Sequence, residues 1–185
     1  MESIKIVNYK RFDIEYWYDE YSESPRNWDN VGKMICFHKN YDLGDKHDFN
    51  SPDDLMDFLN DNKNDLVYLP IYAYEHGGIT ISTAPFSCRW DSGQVGVIYA
   101  YKDKLKECGY KTDDEIEYVL NNEVKTFDDY CRGKCHGFTL YDDEGEMLES
   151  VGGFLGGIEY CENEAINTAN YYDNRLPLQY ELNFV

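Results

Sequence analysis

Four side chains with metal-ligand chemistry occur late in the chain: Cys131, Cys135, His136 and Cys161. Thiolate and imidazole suit a tetrahedral zinc site, but the Cys131-x3-Cys135 spacing lacks the paired knuckles of a structural one. Gly133 sets Cys131 at a helix end and Cys135 at a strand start, so free thiols with no metal or other cofactor are expected. Cys36-Phe37-His38 would place two polar groups on one strand face, with no second pair to complete a ligand set. Asp42-x-Gly44-Asp45-x-x-Asp48 is rich in oxygen ligands, yet it departs from calcium-loop spacing and lacks the terminal Glu. A solvated loop is expected there.

Nucleophilic chemistry needs a thiol or hydroxyl within reach of a base. Cys88 or Ser92 could pair with His38 or His76. However, Asp91-Ser92-Gly93-Gln94-Val95-Gly96 contains no Gly-x-Ser-x-Gly elbow and no dinucleotide or phosphate loop. A weak internal echo sets Arg and Trp-Asp before a strand twice, at Arg26-Asn27-Trp28-Asp29 and at Arg89-Trp90-Asp91. One reading is two loops in which Asp takes its own backbone N–H groups while Trp packs beneath. The other is a ligand pocket built from Arg26, Trp28, Asp29, Arg89, Trp90 and Asp91, as a small-molecule or metal-dependent enzyme would need. No catalytic residue is assigned, and the expectation is a protein that is not an enzyme.

The elements that must position these residues follow from periodicity. SIKIVNYK and RFDIEYWYD read as one or two strands, with Phe12, Ile14, Tyr16 and Tyr18 alternating against Asp13, Glu15 and Trp17. GKMICFH is a further short strand. Ser51 caps a helix that has Pro52 in its first position and Asp53 and Asp54 at the positive end of its dipole. Residues 63–102 combine β-branched and aromatic residues with a Gly77-Gly78 turn, the pattern of central strands joined by a hairpin. KDKLKECG is a short helix closed by Gly109. A long helix starts at Thr112 with a capping box to Glu115 and stops at Gly133; Ile116, Val119, Leu120, Val124, Phe127 and Tyr130 form its inward face. Asp113, Asp114, Glu117, Glu123, Asp128 and Asp129 are expected outside that face. A hairpin turning at Asp143-Glu144-Gly145, a helix over 158–172 and a last strand, LQYELNFV, complete the pattern. It is an α+β fold: a single domain, residues 1–185, with a mostly antiparallel sheet and three to four helices.

The 185 residues hold 36 Asp plus Glu against 17 Lys plus Arg, a net charge of −19. That excludes a direct nucleic-acid binder that works by neutralising phosphates. Hydrophobic residues at 42% and aromatics at 16% argue for a folded core. The charge is uneven: residues 1–62 hold 14 acids and 7 bases, residues 63–102 hold 3 and 3, and residues 103–185 hold 19 and 7. A neutral sheet core, 63–102, is thus flanked by acidic segments. No basic start precedes an apolar run, and no stretch is long enough to cross a bilayer, so a cytoplasmic protein without a membrane partner is expected. A net charge well beyond what solubility needs costs the fold self-repulsion and invites a functional explanation, although a generally acidic proteome would produce the same excess.

Three motifs add a resemblance. Ser24-Pro25-Arg26-Asn27-Trp28-Asp29-Asn30-Val31-Gly32 is followed by Cys36-Phe37-His38 with Tyr41-Asp42-Leu43-Gly44-Asp45. The third is Pro85-Phe86-Ser87-Cys88-Arg89-Trp90-Asp91-Ser92-Gly93-Gln94-Val95-Gly96. Together they resemble a family of small acidic proteins of bacteriophages and other mobile elements, with the likeness extending through the long helix to His136-Gly137-Phe138. The resemblance lends no catalytic residue. It implies, by analogy with anti-CRISPR and anti-restriction proteins as a class, an anti-defence role in the host cytoplasm. The expected partner is a basic nucleic-acid-binding host protein, a CRISPR effector or restriction enzyme. The inhibitor would be stoichiometric and mimic nucleic acid through Asp113, Asp114, Glu117, Asp128, Asp129, Asp142, Asp143 and Glu144, with tyrosines between them. A phage structural or assembly protein is a further alternative.

Overall fold

The computed structural model describes residues 2–175, in which eight strands and four α-helices form. In chain order they are β1 (Ser3–Tyr9), β2 (Phe12–Tyr18), β3 (Lys33–Cys36), α1 (Pro52–Asp61), β4 (Leu66–Glu75), β5 (Ile79–Ser82) and β6 (Ser92–Tyr101). After these come α2 (Lys102–Glu107), α3 (Asp113–Cys131), β7 (Cys135–Tyr141), β8 (Met147–Leu155) and α4 (Ile158–Arg175). The strands form two antiparallel four-stranded sheets, ordered β1-β2-β7-β8 and β3-β6-β4-β5, so the fold is α+β. The strand expected at 178–185 lies outside the described residues. The chain divides into two compact units, Met1–Glu23 with Gly133–Val185, and Ser24–Arg132. Residues 63–102 supply three strands of the second sheet and none of the first.

In the first unit, β2 alternates as expected through Phe12, Ile14 and Tyr16, but at its end the expectation is corrected: Trp17 is buried and Tyr18 is 41% exposed. Phe12, Ile14 and Tyr16 point inward to meet Phe138 and Leu140 of β7. Cys161, Ala165 and Ala169, four residues apart on α4, complete this core and are fully buried. Their small side chains let the helix lie close on the sheet. On the other face Trp17 lies over Gly137 and Gly152, where a Cβ would fall 2.3 and 2.9 Å from its ring. The indole Nε1 donates to Thr139 Oγ1 at 3.0 Å, which satisfies the polar edge of a 93%-buried ring.

In the second unit both faces of the sheet are covered. Ile116, Leu120, Val124 and Phe127 of α3 pack with Met34, Ile71, Ile98 and Ala100; Leu55 and Leu59 of α1 pack with Ile35, Leu66, Val97 and Tyr99 on the opposite side. A strand buried on both faces has no solvent side to decorate with charge, which is why 63–102 reads as neutral. Each of the four α3 anchors removed from water contributes roughly 1.5–3 kcal/mol. The helix starts are built as their sequences require: Ser51 Oγ accepts from Asp54 N at 3.2 Å, and Thr112 and Glu115 close a capping box. Gly133, at φ +66°, follows the last turn of α3.

Candidate functional site

The loop that carries the first motif is organised by one buried cation. Ser24 Oγ caps the 3-10 turn Pro25–Asn27, and Asn30 Nδ2 ties the loop back to the Pro25 carbonyl at 2.8 Å. This sets Arg26 inward, with a side chain only 5% exposed. Its guanidinium grips Asp45 through two parallel bonds of 2.9 Å, donates to Glu123 Oε2 at 3.0 Å and to the Gly32 carbonyl at 2.7 Å. Burial opposes the charge, but the hydrogen bonds to Asp45 and Glu123 prevail and hold the Arg26 pKa above its ordinary value. The two acids are themselves pinned: Asp45 Oδ2 accepts from Met34 N at 2.8 Å, and Glu123 Oε1 from Val31 N at 2.9 Å and Gly32 N at 3.1 Å. Arg26 thus joins the first motif, the second motif and α3.

Beside this network lies a cleft of about 710 Å³ whose lining includes Trp28, Asp29, Lys33, Asp42, Lys46 and Tyr130. The second echo, with Trp90 and Asp91, lines a different concavity of about 320 Å³ together with His38, Glu75 and Ser92. The two share no lining residue, so the six residues Arg26, Trp28, Asp29, Arg89, Trp90 and Asp91 do not converge on one pocket. The expectation that each Trp packs beneath its loop is also corrected. Trp28 is 49% and Trp90 96% exposed, and in the first loop it is Arg26 that takes the inward position. The loop expected to be solvated at Asp42-x-Gly44-Asp45 instead turns a carboxylate inward, the Asp45 side chain being 11% exposed. Gly44, at φ +80°, bridges to Ile35 and aims Asp45 at Arg26.

The Trp90 concavity gathers chemistry from three strand ends. His38 lies beyond the end of β3, so it does not share a strand face with Cys36. Its Nδ1 accepts from Asn40 N and Tyr41 N at 3.3 and 3.2 Å, which leaves Nε2 to face Glu75 Oε2 at 3.7 Å. Asp91 meets His76 Nδ1 at 3.6 Å and receives the Cys88 thiol at 3.8 Å. Ser92 donates to the Cys88 carbonyl and is held by its own loop. The Cys88 thiol thus donates to a carboxylate that also faces an imidazole, whereas the Ser92 hydroxyl is turned to a carbonyl and is not aimed at a base.

The eight expected partner-binding acids have different environments. Asp114, Glu117, Asp143 and Glu144 are exposed, with no ion pair among the described residues. Asp113 is exposed and bonds Lys102 at 2.9 Å. Asp128 and Glu123, expected outside the inward face of α3, are structural: their side chains are 13% and 12% exposed. Asp128 Oδ1 accepts from Ile81 N at 2.8 Å and so covers a donor on the edge strand β5. Burial pushes the Asp128 carboxyl above the usual range. Asp142 folds into its own turn, accepting from Glu144 N and Glu146 N. Asp129 is half-buried. Sequence reasoning missed Asp45 and Glu123 as partners of Arg26, and local spacing holds no signal for pairs 19 and 97 residues apart.

Among the described residues no group of three or more His, Cys, Asp or Glu side chains is arranged to hold a metal. Burial pushes the thiols of Cys131 and Cys161 up to about 12, assisted by Asp128 and Glu162 respectively. Cys135 shifts upward and His136 downward, both chiefly by burial. Thiols shifted this way by burial are poor nucleophiles at neutral pH. No helix among the described residues is long and apolar enough to cross a membrane. No family model, curated protein or solved structure matches the chain.

Proposed function

We propose that this protein acts by stoichiometric binding: an acidic, nucleic-acid-mimicking inhibitor that occupies the basic groove of a host nuclease of the CRISPR or restriction type. The observation that carries the reading is the outer stripe at the start of α3. Asp114, Glu117 and Tyr118 are neighbours at spacings of three and four, the two acids without an ion pair among the described residues and Tyr118 70% exposed. Carboxylates at helical spacing beside a rigid aromatic suit a cationic groove, and the net charge of −19 supplies long-range attraction to it. The choice of a defence nuclease rests on the motif resemblance to mobile-element proteins. The Asp143-Glu144 turn offers a second, smaller acidic contact.

A pull-down from host lysate at low and high salt tests this. A basic nucleic-acid enzyme should be captured at low ionic strength, released as salt rises, and displaced by its own nucleic acid. Charge reversal, Asp114→Lys with Glu117→Lys, should abolish capture while the circular dichroism spectrum stays unchanged. Undiminished capture by that variant would sink the proposal. The competing reading, a small-molecule enzyme, is favoured by the convergence of His38, Glu75, His76, Cys88 and Asp91; loss of an activity in Asp91→Asn, with charge reversal harmless, would select it.

A further inference from the structure

Lys33 stands directly opposite Tyr99 in the β3–β6 register. Cross-strand partners share a face, and here it is the face covered by α1. Residues 46–49 bound a cavity of about 360 Å³ on this side. That size lies within the usual range for small-molecule sites. Ile35, 1% exposed, and Phe49 provide apolar lining, while the exposed Lys33, Lys46 and Asp48 stand at the rim.

The cavity contains polar capacity that the protein does not use. Tyr99 is only 8% exposed, yet its hydroxyl makes no hydrogen bond among the described residues. Its ring is held by Phe58 at 5.4 Å and Tyr101 at 6.2 Å, so the hydroxyl cannot easily swing away in search of a partner. Burial keeps the phenol pKa above its ordinary value, so it remains an O–H donor. Behind it His47 donates from Nε2 to the Cys36 carbonyl at 3.2 Å, and its Nδ1, closed off from solvent, has no partner among the described residues. Neither Lys33 nor Lys46 forms an ion pair among the described residues, although the protein carries more than two acids for every base.

We propose that this cavity binds a small organic oxyanion with a flat apolar body. The oxyanion is held by the Lys33 and Lys46 ammonium groups and accepts from the Tyr99 hydroxyl; the body rests on Ile35 and Phe49. Two cations and a phenolic donor select negative charge, the apolar lining rejects a fully hydrated inorganic ion, and Asp48 at the rim limits affinity. The site is independent of the acidic stripe on α3 and does not rest on the inhibitor reading.

The test is a titration of the whole protein, followed by amide chemical shifts, with phenyl phosphate, benzoate, inorganic phosphate and benzyl alcohol as probes. Phenyl phosphate or benzoate should shift the amides of residues 33–35, 46–49 and 97–99 saturably, and which of the two binds tighter separates a phosphate ligand from a carboxylate one. Tyr99→Phe should weaken that binding about tenfold or more, the usual effect of losing a hydrogen bond to a charged group. Lys33→Gln with Lys46→Gln should abolish it, and Asp48→Asn should tighten it several-fold at low salt. The lysines are exposed, so that double variant decides the matter should Tyr99→Phe lose spectral dispersion. Silence of those amides toward both aromatic oxyanions overturns the proposal, as does parental affinity in the double lysine variant. Benzyl alcohol or inorganic phosphate binding as tightly as the aromatic oxyanions overturns it as well, since either would mean that charge or apolar body plays no part.

Discussion

The sheet of β1, β2, β7 and β8 carries one helix, α4, within its own unit, whereas the sheet of β3, β6, β4 and β5 is covered by α1 on one face and by α3 on the other. The first is assembled from the two ends of the described chain and closes over small residues, Cys161, Ala165 and Ala169. The second is continuous in sequence, and its loops are locked by buried ions centred on Arg26. In one case packing of small side chains sets the geometry; in the other a charged knot does. Trimming an apolar contact leaves a cavity that neighbours can partly fill, whereas removing a buried cation leaves its acids uncompensated, which no small shift relieves. The chemistry-bearing loops and all the clefts described above fall in the unit held by the knot.

The strongest way to break this comparison is Arg26→Leu. It leaves Asp45 and Glu123 buried without a cation, and the loss should be about 3–5 kcal/mol. Hydrogen exchange should show protection lost first in β3 and in residues 96–99 of β6, which pair with it, with β2 and β7 retained. Uniform loss across both sheets would mean that the two units unfold as one and that the contrast has no energetic content. Glycine replacements come next. Gly96→Ala puts a Cβ 2.0 Å from the Ile35 carbonyl oxygen, a backbone atom that cannot turn aside. Gly137→Ala meets the Trp17 ring at 2.3 Å, and a ring can tilt. Both should fall near about 1–3 kcal/mol, with Gly96→Ala the larger in urea unfolding; the reverse order would place the tighter packing in the first sheet.

A smaller effect is expected at the start of α3. Thr112→Ala removes the capping box and should cost about 1 kcal/mol, seen as early fraying of residues 113–117 in hydrogen exchange. If the acidic stripe there binds a basic partner, the same variant should weaken capture without any change of charge. The smallest effect is a gain. Burial raises the Asp128 carboxyl above its unfolded value. Its charged form therefore costs stability above the folded pKa, and this cost vanishes as pH falls below the unfolded value. Asp128→Asn keeps an oxygen for the Ile81 amide, so the melting temperature should rise slightly at neutral pH and match the parent in acid. A loss at neutral pH would show that the Arg132 attraction, at 3.6 Å, outweighs burial.

Much of the architecture was legible in the chain. The helix starts at Ser51 and Thr112, the stop at Gly133, the Gly77 and Gly145 turns and the alternation of β2 are local, and local steric and hydrogen-bond preferences sufficed to place them. The site was far less legible. Arg26 and Trp28 share a loop, and local reading made the Trp the inward residue because Trp is apolar. The loop instead buries the Arg, since Asp45 and Glu123 arrive from distant positions to meet it. Likewise Asp128 reads as one more surface acid until β5 brings the Ile81 amide against it. Tyr99 reads as one of 18 tyrosines in the chain; only the pairing of β3 with β6 sets it opposite Lys33.

What the sequence by itself determined was the identity and ends of most elements, the α+β class and the acid excess, because each depends on neighbours a few residues away or on composition. What tertiary structure alone decided was which charges became structure and which stayed free to meet a partner. That choice depends on desolvation and on the meeting of groups far apart in the chain, and neither quantity has a value until the strands have paired.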